Sequence, residues 1–426
     1  MKKREKKIRA SEFDYYLPEK LIAQKPTKPR DKARLLILER NTITSPPFSK
    51  GEIKRGSNKT NFRITHQHFY DLEKILNAGD VLVLNNSKVI PARLVGKKKT
   101  GGKIEIFLLC HPDRARGEWR DPFGVKQRRD SSTRPDVCLA AKSGLGRNDN
   151  VWQCLIGGKA KVGDKIYLGK NKFPLLTKEG VRGRFIATII KKLDEQSWLV
   201  AFNVSDKELF SIGETPTPPY IKKSAKLSDY QTIYAKFAGS VAAPTAGLHF
   251  TKSLLNKLKK KGVQVECVTL HVGLGTFSPV KSEYIQDHKM HAELATIDKY
   301  TANKLNRAKQ EGRRIVAVGT TSVRTLEAFS VETHCHASPR NNADKNLEMH
   351  INASLQPGSR WINIFIYPGY EFKFVDAIIT NFHLPKSTLL MLISAFAGQK
   401  NIKRAYAEAI KKKYKFYSFG DAMMIK

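Results

Sequence analysis

A chain of 426 residues has room for two domains with cores of their own, at roughly 100–200 residues per domain. Its 41% hydrophobic and 27% charged content excludes a disordered or fibrous protein. Lysine and arginine number 76 against 39 acidic residues, a formal charge of +37, which suits a polyanionic partner because each neutralised phosphate releases counterions; a chain-wide lysine bias with every ammonium solvated is the plainer alternative.

Residues 1–13 are basic but lack the apolar core of a signal peptide, and the longest apolar run, residues 389–398, is too short to span a bilayer. The 5 cysteines are scattered, with no Cys-x-x-Cys pair, so neither a disulfide scaffold nor a zinc ribbon is expected. A cytoplasmic protein with no membrane attachment is the expectation.

Before Gly79 the sequence reads as mixed helix and strand. From Gly79 it turns to short strands, DVLVLNN, ARLVG, GGKIEIFLL, VWQCLIGG, VGDKIYLG, GRFIATII and SWLVAFNV, separated by Gly- and Lys-rich turns. That pattern predicts a small barrel or sandwich. After about Ser205 the period changes. Thr251 is placed to cap a helix whose Leu254, Leu255 and Leu258 share one face and which Gly262 ends. Asp298 is placed to cap a second helix running to Gln310. VQVECVTLHVG, RRIVAVG, IFIYPG and DAIITNF are predicted strands, and STLLMLISAF and NIKRAYAEAIKKK predicted helices. This alternation predicts a layered α/β fold. The β-rich block, residues 79–204, is expected as a small β-barrel domain inserted into a discontinuous α/β catalytic domain of residues 1–78 and 205–426. Residues 40–63, 112–150 and 331–359 lack periodicity and are expected as surface insertions.

Several stretches carry chemistry-bearing residues. GSVAAPTAGLHFT, residues 239–251, is small and uncharged apart from His249, a composition neither helix nor strand requires. In IVAVGTTSVRTLEAF a strand ends at Gly319, and Thr320, Thr321 and Ser322 open a helix. Its free N–H groups and dipole favour an anion, with Arg324 one turn in, although plain capping explains the same residues. In LHVGLGTFSPV, Gly273 and Gly275 flank Leu274. The third glycine of a dinucleotide fingerprint is missing, which leaves either a ligand-lining loop or a turn. DHKMHAE offers Asp287, His288, His291 and Glu293 for acid–base work, or simply a solvated loop. Prolines 216, 218 and 219 stiffen the segment holding Glu214 and Tyr220, which is also consistent with a linker. His383 in TNFHLPKSTLL sits where a strand ends and Ser387 or Thr388 caps a helix. His334, Cys335 and His336 are ligand types, but three adjacent ligands on a polar loop are usually incidental. Residue chemistry alone leaves two classes open: an enzyme acting on nucleic acid, and a non-catalytic RNA-binding protein.

Taken together and in order, these segments resemble the S-adenosylmethionine:tRNA ribosyltransferase-isomerase family of queuosine biosynthesis. The resemblance runs from FDYYLPEKLIAQKPTKPRDKARLL through GDVLVLNNSKVIPARLVG, YQTIYAKFAGSVAAPTAGLHFT, TLHVGLGTFSPV, DHKMHAE and VAVGTTSVRTLE to FIYPGYEFKFVDAIITNFHLPKSTLLMLISAFAG and YSFGDAMMI. It covers nearly the whole chain outside the three insertions. It implies an α/β domain with an inserted β-barrel, and S-adenosylmethionine used as a ribosyl donor. The ribosyl group would be transferred to 7-aminomethyl-7-deazaguanine at the tRNA wobble position and rearranged to epoxyqueuosine, with release of adenine and methionine. It implies no metal and no prosthetic group, the tRNA anticodon loop as partner, and a monomer.

That chemistry asks for acid–base groups, donors for a carboxylate, and neighbours for a sulfonium. On the resemblance, His249 and His271 are candidate base and acid, and Phe250 and Phe277 candidates to face the sulfonium. Gly319, Thr320, Thr321 and Arg324 are candidates for the methionine carboxylate. Glu214, Asp229, Tyr230, Asn381 and His383 are possible further contributors. Gly239, Ala242, Ala243, Ala246 and Gly247 would let backbone approach the nucleoside, with Gly273, Gly275 and Thr276 in the second loop. Arg93, Lys97, Lys98 and Lys99 are candidate phosphate contacts. A related enzyme with another substrate and an inactive tRNA-binding descendant are the alternatives.

Overall fold

A computed structural model describes residues 7–40, 62–110, 150–169, 176–177, 180–181, 185–193, 197–222, 226–273, 279–333 and 352–426. Most of the three expected insertions falls outside these residues.

VLVLN, IVAV and AIITN are near-continuous apolar runs, and a strand of that kind must be covered on both faces. They form Val81–Asn85, Ile315–Val318 and Ala377–Asn381, buried along their whole length. With Gln264–Leu270 they are the parallel centre of a nine-stranded sheet. Successive side chains point to opposite faces, so the same strands feed two cores. Val81, Val83, Ile315, Ala317 and Ile378 lie in one, and Leu82, Leu84, Val316, Val318 and Ile379 in the other. The first is covered by Lys299–Gln310, Gly319–Phe329, Thr388–Ala397 and Gln399–Lys411, and the second by Lys252–Lys260 through Leu254, Leu255 and Leu258. Antiparallel and mixed partners complete the sheet outward, to Gly358–Ile362 at one edge and Phe62–His68 at the other.

The anticipated caps form. Thr251 accepts from the Leu254 N–H, Asp298 from Thr301 and Ser387 from Leu390, each satisfying an orphan donor of a first turn.

Between Val81–Asn85 and Gln264–Leu270 the chain makes a closed barrel of Arg93–Lys98, Lys103–Cys110, Asn150–Gly157, Lys165–Leu168, Ile186–Lys192 and Ser197–Phe202. Alternate residues fill it, among them Leu94, Ile104, Ile106, Trp152, Ile166 and Phe202. Gly96 permits one close crossing, since a Cβ there would stand 2.7 Å from the Tyr167 carbonyl oxygen. The fold is thus α/β with a closed barrel.

One predicted strand is absent. IFIYPG carries no ladder; the strand is Gly358–Ile362, just before it. The residues that follow it are held by the buried Glu327 carboxylate, which accepts from the Tyr370 hydroxyl and from the N–H groups of Lys373, Phe374 and Val375 at 2.9–3.1 Å. Arg324 Nε also donates to the Ile364 carbonyl. Side chains on the helix Gly319–Phe329 thus satisfy backbone groups that a neighbouring strand would otherwise have paired. Glu327→Gln keeps the shape but loses the charge and one acceptor oxygen, and is expected to destabilise the fold by roughly 2–4 kcal/mol. Urea unfolding would check this, and a change below about 0.5 kcal/mol would contradict it.

Candidate active site

The parallel strands end together, and at their carboxyl ends lies a partly open cleft enclosing about 60 Å³, the usual place for a ligand in an open α/β sheet. One wall is the small-residue stretch 242–246, the next is Val272, and the third is Gly319, Thr320 and Thr321. The floor is residues 380–384, and Tyr220, Tyr417 and Ser418 close the remaining side. No Asp, Glu, Lys or Arg among the described residues lines it.

Gly319 has φ +82°, a conformation that favours glycine, and this lets the strand Ile315–Val318 turn straight into the helix Gly319–Phe329. That helix has no side-chain cap. Ser322 hydroxyl turns back to the Val318 carbonyl at 2.7 Å, and Thr321 lines the cleft with a buried hydroxyl that has no hydrogen-bond partner among the described residues. Uncapped N–H groups, the helix dipole and an unmatched hydroxyl converge there, a setting suited to an anion.

Ala242, Ala243 and Ala246 are buried and line the cleft. Gly247 faces away from it, since a Cβ there would stand 1.9 Å from the Tyr234 hydroxyl. Gly239 lies in Phe237–Ser240, paired with Ser87–Val89. Phe250 is fully buried in the core, edge-on to Phe69 at 4.9 Å, and not among the lining residues.

The candidate acid–base residues separate. His383 lines the cleft, with Nε2 at 2.8 Å from the Thr380 hydroxyl, its N–H given to the Tyr406 hydroxyl and its carbonyl accepting from the Tyr15 hydroxyl. His249 is behind the wall, its Nε2 3.1 Å from Asn381 Oδ1. Asn381 donates its amide N–H groups to the Tyr417 and Ser418 carbonyls, so its Oδ1 is left to accept from His249. His271 follows Gln264–Leu270 and precedes the lining residue Val272. Asp229 sits 3.7 Å from Lys28 Nζ, and Tyr230 is fully buried against Phe419; neither lines the cleft.

Arg324 is buried in an ion pair with Glu293, whose other oxygen accepts from the Gly273 N–H at 2.8 Å. Its charge is therefore already matched, one turn behind the helix N-terminus. Asp287 and His291 are exposed. Arg93 is spent on carboxylates, Glu214 at 3.0 Å and Glu105 at 2.9 Å, and Lys98 on Asp164 at 2.6 Å. Lys97 and Lys99 face solvent. Gly275, Thr276 and Phe277 lie outside the described residues, as do His334, Cys335 and His336. Among the described residues no group of three or more His, Cys, Asp and Glu is placed to hold a metal, and no helix is long and apolar enough to cross a membrane.

Sequence reasoning missed Tyr417, Ser418 and Thr380 as lining residues. Tyr417 has a signal only in the backbone, a φ of +71°, rare for a residue with a side chain.

Burial pushes His249 down to about 4 against the weaker opposite pull of Asn381 and the Arg30 backbone, and pushes His383 down to about 3. A histidine in the unfolded chain takes its proton near 6.5. Below that value the unfolded state binds protons the folded state refuses, so these residues make stability fall as pH drops from about 6.5 toward 4. Urea unfolding across that window should show the loss, with a shallower slope in His249→Asn and His383→Asn; an unchanged slope in both would contradict it.

A family model described as queuosine biosynthesis protein matches residues 10–425. A protein from Thermosipho melanesiensis named S-adenosylmethionine:tRNA ribosyltransferase-isomerase is 43% identical over 420 residues, covering 98% of this chain and 100% of that one. A protein of the same name from Thermoanaerobacter sp. is 42% identical over 425 residues, with the same coverage. A crystal structure titled S-adenosylmethionine tRNA ribosyltransferase from Thermotoga maritima is 33% identical, covers 98% of this chain and 100% of that chain, and has a TM-score of 0.45. The chain belongs to the queuosine biosynthesis family and is an enzyme of that pathway.

Proposed function

We propose that this enzyme transfers the ribosyl group of S-adenosylmethionine to the aminomethyl group of 7-aminomethyl-7-deazaguanine at the wobble position of tRNA and isomerises it, forming epoxyqueuosine and releasing adenine and methionine. The observation that carries this reading is the uncharged, small-walled cleft that opens on an uncapped helix N-terminus with an unmatched Thr321 hydroxyl. A nucleoside fits against the alanines while a carboxylate meets the helix. The names of the relatives supply the substrate class.

In this reading the N–H groups of Gly319, Thr320 and Thr321 and the Thr321 hydroxyl take the methionine carboxylate. Arg324 supports that turn from behind and, with Glu293, anchors the start of the loop after Val272. The positive sulfonium acidifies the neighbouring C5′ hydrogen. His383, neutral and in the cleft wall, is our candidate to take that proton, and His271 a second acid–base candidate. His249 acts through Asn381 as a positioning residue. Over the whole reaction the C1′–adenine and C5′–S bonds break, one C–N bond to the substrate amine and one C–C bond closing the carbocycle form, and the ribose ring oxygen becomes the epoxide oxygen. Adenine takes one of the two protons released from C5′ and the amine, and the C5′–S bonding pair leaves on sulfur as neutral methionine. Lys97 and Lys99 are the candidate phosphate contacts.

Incubating the protein with S-adenosylmethionine and tRNA bearing the aminomethyl base should release adenine and yield the modified nucleoside. Adenine without a modified wobble base would indicate another acceptor, and neither product would favour binding alone. Thr321→Val should raise KM for S-adenosylmethionine roughly ten-fold with a smaller change in kcat; an unchanged KM would remove the anion assignment. Lys97→Gln with Lys99→Gln should weaken tRNA binding and lower the slope of log K against log salt by about 1 per contact, and an unchanged slope would remove both lysines from the interface.

A further inference from the structure

A cleft that admits a sulfonium has to meet a positive charge, yet no carboxylate among the described residues lines this one. What it presents instead is a pair of rings. Tyr220 and Tyr417 both line the cleft, their centroids 4.7 Å apart and their planes inclined at 49°. The Tyr220 hydroxyl is fixed on Ser418 Oγ at 2.6 Å. Burial pushes the Tyr417 phenol up to about 12 and raises that of Tyr220 as well, so both rings stay neutral and any attraction comes from their faces.

Tyr417 is held in place at some cost. Its φ of +71° is a conformation that residues with a side chain seldom adopt, and such strain persists only where the surroundings over-determine it. Here its N–H donates to the Phe382 carbonyl at 3.1 Å, and its own carbonyl accepts from Asn381 Nδ2 at 2.8 Å and from the Gly420 N–H at 2.9 Å. The ring is thereby aimed at the cleft by bonds on both sides of the peptide.

We propose that Tyr417 and Tyr220 form the surface that receives the sulfonium of S-adenosylmethionine, selecting the cation over a neutral thioether by attraction to the ring faces and not by a carboxylate. This rests on the reading that S-adenosylmethionine occupies the cleft. It has a consequence for turnover. When the C5′–S bond breaks and its electron pair returns to sulfur, the attraction disappears, so the rings bind the donor and release the neutral methionine thioether.

The test is the ratio of affinities for S-adenosylmethionine and S-adenosylhomocysteine, measured by calorimetry on the full chain. Tyr417→Leu should cut the preference for the cation by roughly three- to thirty-fold, with S-adenosylhomocysteine binding changed by less than about two-fold. Tyr417→Phe, which keeps a ring, should retain the preference. Tyr220→Leu should also reduce it, and carries the test alone if Tyr417→Leu does not fold. Equal weakening toward both ligands would assign the rings to the adenine or to packing and overturn the proposal, as would loss of the preference in Tyr417→Phe. A wild-type protein that binds neither ligand would instead overturn the underlying reading of the cleft, a result distinct from equal weakening.

Discussion

The side-chain amide of Asn381 joins three walls of the cleft. It stands at the end of the central strand Ala377–Asn381. Its N–H groups are given to the Tyr417 and Ser418 carbonyls, and its oxygen faces His249 at the end of the turn Thr245–His249. Only an amide supplies donors and an acceptor from one planar group. A carboxylate would turn its second oxygen on two carbonyls, and an apolar residue would leave buried polar groups unsatisfied. The strained backbone of Tyr417, the placement of the small-residue wall and the orientation of the His249 ring all depend on this junction, while burial is what keeps that ring neutral.

Around it, the electrostatics run against the composition. The protein carries +37, yet the described lining of its cleft has no ionised side chain. The charge of Arg324, one turn behind the N-terminus of the helix that lines the site, is matched by Glu293 before it reaches the cleft. A buried pair of this kind adds little net stability, because desolvation offsets the attraction, but it fixes geometry. Glu293 ties Gly273 to the helix that Arg324 projects from. What remains to act on a ligand is oriented polarity in the form of helix N–H groups, hydroxyls and ring faces, which needs little reorganisation when charge moves during a reaction.

Much of the fold was legible because periodicity and capping are local. The apolar runs at 315–318 and 377–381, the short strands of the barrel, and the caps at Thr251, Asp298 and Ser387 can each be read within a window of a few residues. DVLVLNN, expected among the barrel strands, instead pairs as Val81–Asn85 with Gln264–Leu270 and Ile315–Val318 in the central sheet. IFIYPG misled because its apolar residues look like a strand, whereas in the fold it carries no ladder and its Ile364 carbonyl accepts from Arg324, in a distant part of the chain. The site was legible in its loops and less so in its directions. The stretch 239–251 was visible as a ligand wall once the resemblance was stated, but not that Ala246 faces the cleft while Gly247 faces Tyr234 and Phe250 the core.

By itself the sequence determined the α/β layering and a block of short strands, which follow from residue type and short-range order, and the family, which follows from the order of its motifs along the chain. Only the tertiary structure decided which side chains reach the cleft. His249 and His383 are equally polar in the text. One is turned behind Asn381 and the other lines the wall, because three segments far apart in the chain meet at a single amide. Tyr417 likewise enters the site through a backbone angle imposed by residues 382 and 420, a constraint that exists only once the chain has folded.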